Sequence, residues 1–229
     1  MRQPLSNYIT SKPEIIIFDV DGTLYDQKKL RKLVAMKLMK QLLTFQTGFR
    51  ELQIISCFRK EREKHRYVKT HNIGKEQYNW CCGKLGIAAE KIQYVVKKNM
   101  YDLPIPFLKR VKFRNVDDLF GTLKHKGIRV IAYSDYPARE KMETMGLHFD
   151  ACYCSADEEL DEFKPSRKVL LWICNNFRCE PSKALYIGDR DEVDGAGARS
   201  AGIPYINIDF DKARKGLFFK KLTEEIKTL

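Results

Sequence analysis

The stretch Glu14–Asp26, Glu-Ile-Ile-Ile-Phe-Asp-Val-Asp-Gly-Thr-Leu-Tyr-Asp, constrains this chain more than any other. Ile15, Ile16, Ile17 and Phe18 form an unbroken apolar run rich in β-branched residues, the pattern of a short central strand buried on both faces. The run stops at two carboxylates, Asp19 and Asp21, followed by Gly22. With a strand period of two, both side chains are expected to leave one face at the carboxyl end of the strand. Open α/β sheets carry their ligand crevice there. Two like charges so close are costly unless a cation lies between them or one carboxyl keeps a proton. A calcium loop would place its glycine three residues after the second acid and a helix in front. Neither holds, which leaves a polar turn or an active-site loop.

The residues that follow change period. Leu30, Leu33, Val34, Leu38, Leu42 and Phe45 recur at helical spacing from Lys28 to Phe45. Further helices are expected over Phe49–Val68, Gly74–Leu85 and Ala88–Tyr101, with Asp102-Leu-Pro-Ile-Pro as a rigid extended return. Beyond it, strands alternate with helices. The strands are expected at 128–134, 151–155, 184–188 and 204–208, and the helices at 115–126, 137–145, 165–177 and 195–201. The chain of 229 residues therefore reads as α/β. A Rossmann-like parallel-sheet core (1–27 and 108–229) is interrupted after its first strand by an all-helical cap (28–107).

The segment Asp-Val-Asp-Gly-Thr-Leu resembles the signature of haloacid dehalogenase superfamily hydrolases, and the helical insert places the chain near the phosphoglycolate phosphatase-like members. Three later segments match the superfamily in order. Ser134 closes Ile-Arg-Val-Ile-Ala-Tyr-Ser where the family puts a hydroxyl on the phosphoryl oxygens. Asp135 follows it, where a small or amide residue is usual, and is taken with Ser134 as part of the phosphate-binding loop on condition that its carboxylate points away or binds a substrate hydroxyl. Lys164 precedes Pro165, expected as the first residue of a helix, and resembles the family's phosphate-neutralising lysine. In Gly188-Asp189-Arg-Asp-Glu-Val-Asp194, Asp189 corresponds to a direct metal ligand and Asp194 to the acid behind it; Asp191 and Glu192 fall on other positions and are expected to be solvated.

The resemblance implies a phosphatase acting on a small phosphorylated metabolite. Asp19 would be the nucleophile and Asp21 the acid and then base, with Mg²⁺ held by Asp19, Asp189 and the main-chain carbonyl of Asp21. An acid at position 21 argues against dehalogenation; a phosphomutase is the alternative within the superfamily.

Charge adds a second question. Residues 28–107 hold 18 Lys and Arg against 6 Asp and Glu, so the whole net charge of +12 lies in the insert. An anionic partner is implied, either the substrate or, with hydrolysis secondary, nucleic acid or an acidic membrane surface. Arg59, Arg62, Arg66 and Lys69 share one helix face, expected to be solvated, while Tyr25 and Asp26 are expected to touch substrate. Seven cysteines, two of them adjacent, suit neither a secreted disulfide framework nor a zinc site. The N-terminus has no long apolar run, so a cytoplasmic protein is expected, of undefined oligomeric state.

Overall fold

In the computed structural model, which describes residues 12–44 and 48–229, strand β1 (Ile15–Phe18) is the middle of a five-stranded sheet. The other strands are β2 (Arg129–Ser134), β3 (Ala151–Cys154), β4 (Ala184–Gly188) and β5 (Tyr205–Asn207). The order is β3-β2-β1-β4-β5 and every pairing is parallel. Phe18 lies opposite Ala132 on one side and Ile187 on the other. The chain crosses from β3 to β4 past β1, so the strand order reverses beside β1, and the carboxyl ends open into a crevice there.

Each face of the sheet has its own core, because successive side chains point to opposite sides. Ile16, Phe18, Val130, Ala132, Leu185 and Ile187 pack on one side with helices α6 (Val116–His125), α7 (Arg139–Met145) and α11 (Leu217–Thr228). Ile15, Ile17, Ile131, Tyr133, Ala184 and Tyr186 pack on the other with α8 (Arg167–Asn176) and α9 (Ala196–Ala201). Both faces of β1 are covered, so it can be apolar at every position, and all four residues are fully buried.

Between β1 and α6 every described element is helical, among them α1 (Gln27–Leu43), α2 (Phe49–His65), α3 (Ile73–Leu85), α4 (Ala89–Val96) and the short α5 (Leu108–Val111). Helices α2, α3 and α4 enclose a separate cluster of Ile54, Phe58, Tyr78, Cys81, Ile92, Val95 and Val96. Helix α1 instead lays Leu30, Leu33 and Val34 on the sheet side. Its expected last residue, Phe45, lies outside the described residues. The segment 102–106 is not the extended return that its prolines suggest. A wide helical turn over Lys97–Asp102 continues α4, and Ile105–Phe107 form a tight turn in which Phe107 N–H donates to the Pro104 carbonyl at 3.0 Å. Leu103 is helical (φ −57°, ψ −36°) although a proline follows. Pro104 and Pro106 sit in first-turn positions, where a missing N–H costs little.

Candidate active site

The loop after β1 leaves the sheet earlier than strand periodicity suggests. Asp19 N–H still donates to Ile187 O at 2.9 Å, but Thr23 and Leu24 N–H turn back onto Val20 O. The chain curls at once, and the two carboxylates meet different partners. Asp19 Oδ1 accepts from Lys164 Nζ at 2.8 Å and Oδ2 from Thr23 Oγ1 at 2.9 Å. Asp21 accepts from Lys141 Nζ and the Tyr25 hydroxyl, and from Ser134 Oγ at 3.3 Å. Opposed environments push the two acids apart. Burial, opposed by Lys164 but assisted by Asp194 and Asp189, raises Asp19 to about 7. Burial alone would also raise Asp21, yet the Lys141 charge and the hydrogen bonds from Lys141, Tyr25 and Ser134 outweigh it and lower its pKa.

Gly22 makes the close approach of the second acidic loop possible. Its φ is +105°, and a Cβ there would lie 2.4 Å from Asp189 Oδ2. Only glycine fits both conditions. The Asp189 loop follows β4 and folds back through Arg190 O, which accepts from Asp194 N–H at 2.7 Å. Asp194 is thereby buried beside Lys164, whose Nζ reaches it at 3.0 Å; Tyr186 OH also donates at 3.0 Å and Arg190 N–H at 3.2 Å. Lys164 lies 4.7 Å and 5.4 Å from the ring centroids of Tyr133 and Tyr186. Burial would lower its pKa, but Asp19 and Asp194 hold it charged, well above the usual value.

Asp19, Asp189 and Asp194 each offer an oxygen within 4.8 Å of the others. Asp189 Oδ1 is buried without a hydrogen-bond partner. Burial, then the Asp194 charge, raises Asp189 to about 6. One lysine serves this acid cluster, which is short of positive charge, and an all-oxygen donor set with an orphaned carboxylate oxygen fits a hard divalent cation such as Mg²⁺. The carboxylate of Asp21 is turned to Lys141 and is not part of the cluster, so a share for Asp21 in a metal site would come through its main-chain carbonyl.

Asp135 lines the same cavity as Asp19, but its carboxylate is taken up by partners within the protein itself. Its carboxylate accepts from Arg66 Nη1 at 2.7 Å, Arg190 Nη2 at 3.2 Å, Ser155 Oγ at 2.8 Å and Lys164 N–H at 3.3 Å, while its carbonyl accepts from Arg62 Nη2. Burial opposes ionisation, but Arg66, Lys164 and Arg62 hold it well below the ordinary carboxylate range. Ser134, next to it, is buried and receives Tyr136 N–H at 3.2 Å.

Three expectations are corrected. Arg62 and Arg66 do not lie on a solvated face: Arg62 is 3% exposed between the rings of Tyr136 and Phe163, and both arginines reach from α2 to Asp135. Asp26 is buried as the N-cap of α1, accepting from Lys29 N–H at 3.0 Å and Arg214 Nε at 2.9 Å, so it has no free oxygen to present to a ligand; Tyr25, by contrast, donates its hydroxyl to Asp21 and lines a cavity beside that acid. Pro165 precedes the start of α8, whose cap is Ser166, with its Oγ accepting from Val169 N–H at 3.0 Å. Asp191 is exposed and paired with Arg199, as solvation implies. Lys141 was not foreseen: nothing in its spacing marks a lysine on α7 as the partner of an acid 120 residues earlier.

Comparison with known proteins agrees with this arrangement. The model of the haloacid dehalogenase-like hydrolase family matches residues 13–202. A glyceraldehyde 3-phosphate phosphatase of Methanopyrus kandleri is 25% identical over 205 residues, covering 84% of this chain and 82% of the relative. The protein of the same name from Methanothermobacter thermautotrophicus is 27% identical over 206 residues, covering 85% and 84%. Among solved structures, a 2-haloacid dehalogenase from Pseudomonas syringae superposes with a TM-score of 0.64 at 19% identity, covering 94% of this chain and 98% of that one. A predicted phosphoglycolate phosphatase from Haemophilus somnus gives 0.56 at 18% identity, covering 88% of each chain. The structural likenesses speak for the fold alone, whereas the family model spans most of the chain. The parallel sheet, the four converging segments and the family match together make this chain a member of the haloacid dehalogenase-like hydrolases.

Proposed function

We propose that the chain is a Mg²⁺-dependent phosphomonoesterase that transfers the phosphoryl group to Asp19 and then to water. The observation that supports this best is Lys164 bridging Asp19 and Asp194 beside an Asp189 carboxylate that has an unpartnered buried oxygen. Such a site holds one fixed cation and leaves a deficit that a metal ion and a phosphate together would balance. Asp19 and Asp189 would hold the metal, with Asp194 positioning Lys164 behind them. A bound Mg²⁺ supplies charge neutralisation for the phosphoryl oxygens.

In this reading an Asp19 oxygen attacks phosphorus in line, forming an aspartyl phosphate as the bond to the leaving oxygen breaks. Lys164 and the Ser134 hydroxyl, with main-chain N–H groups near Val20, Asp21 and Asp135, hold the phosphoryl oxygens. The leaving oxygen takes its proton from the Asp21–Lys141 pair. Asp21, ionised, then accepts a proton from the water that attacks the aspartyl phosphate, releasing inorganic phosphate and restoring Asp19. Residues 28–107 act as a cap held shut through Arg62 and Arg66.

The two glyceraldehyde 3-phosphate phosphatases support a small phosphate ester as substrate. Part of the cap's positive charge is directed inward onto Asp135, which weakens the case for a nucleic acid or membrane partner. No helix among the described residues is long and apolar enough to cross a membrane. The decisive measurement is phosphate release from a panel of phosphate monoesters, with and without Mg²⁺, for the unaltered protein and Asp19→Asn. Release that ignores Mg²⁺, or that survives in the variant, would sink this mechanism.

A further inference from the structure

The cavity that contains Asp19 encloses about 170 Å³ and does not end there. It shares Asp21, Gln27, Arg31, Arg59 and Tyr136 with an adjoining cavity of about 320 Å³. Asp21 stands at the junction, so an ester with its phosphorus at Asp19 and its leaving oxygen at Asp21 extends its alcohol into the larger space. One wall of that space is apolar. Leu30, Val34 and Leu38 recur every four residues along α1, and Ile55, Met100 and Pro104 line the same cavity from the other elements. Tyr25, Asn99, Tyr101 and Lys141 line it as well, besides the residues shared with the smaller cavity, so its polar groups lie beside an apolar wall.

Resting on the phosphatase reading above, we propose that this cavity is the leaving-group subsite. It selects monophosphates of an amphipathic alcohol, with an aromatic or branched aliphatic body, over those of short polyols. At about 30 Å³ per water-sized group the space takes roughly ten heavy atoms, and a three-carbon sugar leaves about half of it unfilled. Apolar walls favour a ligand that displaces water from them, with a few polar groups fixing its orientation. Arg31 and Arg59 lie at the junction of the two cavities, on the phosphate side of such a ligand.

The test compares 2-phenylethyl phosphate with glycerol 3-phosphate. Both are primary alkyl esters, so their kcat/KM ratio reads the subsite rather than the chemistry. The expected ratio favours the phenylethyl ester by about ten- to a hundredfold, the range for burying one apolar group. Filling the space with Val34→Phe, or with Leu38→Phe further along the helix, is expected to bring the ratio close to one; a folding defect would lower both rates and leave the ratio alone. A ratio at or below one in the unaltered protein, or one that neither variant moves, overturns the proposal. Should neither ester release phosphate, the phosphatase reading fails, and calorimetry decides the subsite separately. Binding of 2-phenylethylphosphonate about tenfold tighter than methylphosphonate, in Mg²⁺, supports it, and equal affinity overturns it.

Discussion

Two buried acid clusters lie on either side of Lys164, and their balance differs. Around Asp135 the carboxylate meets Arg66 and Arg190, the carbonyl meets Arg62, and cations outnumber acids. Around Asp19, Asp189 and Asp194 three carboxylates share one ammonium, and one oxygen has no partner. The first cluster is complete as it stands and joins α2 to the loop after β2. The second is short of positive charge, and Asp19 and Asp189 in it are raised above the ordinary carboxylate range. Charge balance separates the first cluster from the proposed reaction site more clearly than burial does.

The largest effect should come from breaking the deficient cluster at its centre. Asp19→Asn is expected to reduce phosphate release by more than about a thousandfold, because an amide cannot form the aspartyl phosphate. A Gly22→Ala variant should be nearly as damaging, since its Cβ would strike Asp189 and its φ is strained; loss of Mg²⁺-dependent turnover with little change in urea midpoint would separate a local effect from unfolding. Next is Lys164→Met, which strands two buried carboxylates. We expect stability to fall by about 3–5 kcal/mol by denaturant titration, with partial recovery on adding Mg²⁺. No recovery would mean that the acids are not a metal site.

Metal and pH sharpen the contrast further. Millimolar Mg²⁺ should raise the melting temperature of the unaltered protein and of Asp135→Asn but not of Asp189→Asn, as calorimetry can show. Asp19 and Asp189 are raised to about 7 and about 6, so the folded protein binds protons that the unfolded chain has lost. Stability without metal should therefore fall as pH rises from about 4 to 7, and Mg²⁺ should flatten that slope. Asp135 has the opposite sign. Its folded pKa is depressed, so its contribution is present above the unfolded value near ~4 and is lost as pH falls below it. The smallest effect is expected from Asp135→Asn, which should flatten that acid limb and cost about 1–3 kcal/mol at neutral pH.

The parts of this site legible in the sequence share a local cause. Ile15–Phe18 and Ala184–Gly188 announce buried strands by composition, and the acids at their ends follow by position. Lys164 was found through the segment that carries it, although the helix start beside it lies at Ser166. The alternation of α2 residues could not say which way Arg62 and Arg66 face, because a row of arginines with intervening glutamates reads as a solvated surface. Their acceptor is 69 to 73 residues away in the chain. A still longer separation in sequence hid Lys141, and with it the cation that lowers the pKa of Asp21.

Local pattern alone determined the parallel α/β core, the helical stretch between its first two strands and the acids that end those strands, since burial and strand period are written into neighbouring residues. Only the tertiary structure decided which cation answers which carboxylate. Lys164 went to Asp19, Lys141 to Asp21 and the arginines to Asp135, because ion pairing depends on distances in space between segments that chain order leaves far apart.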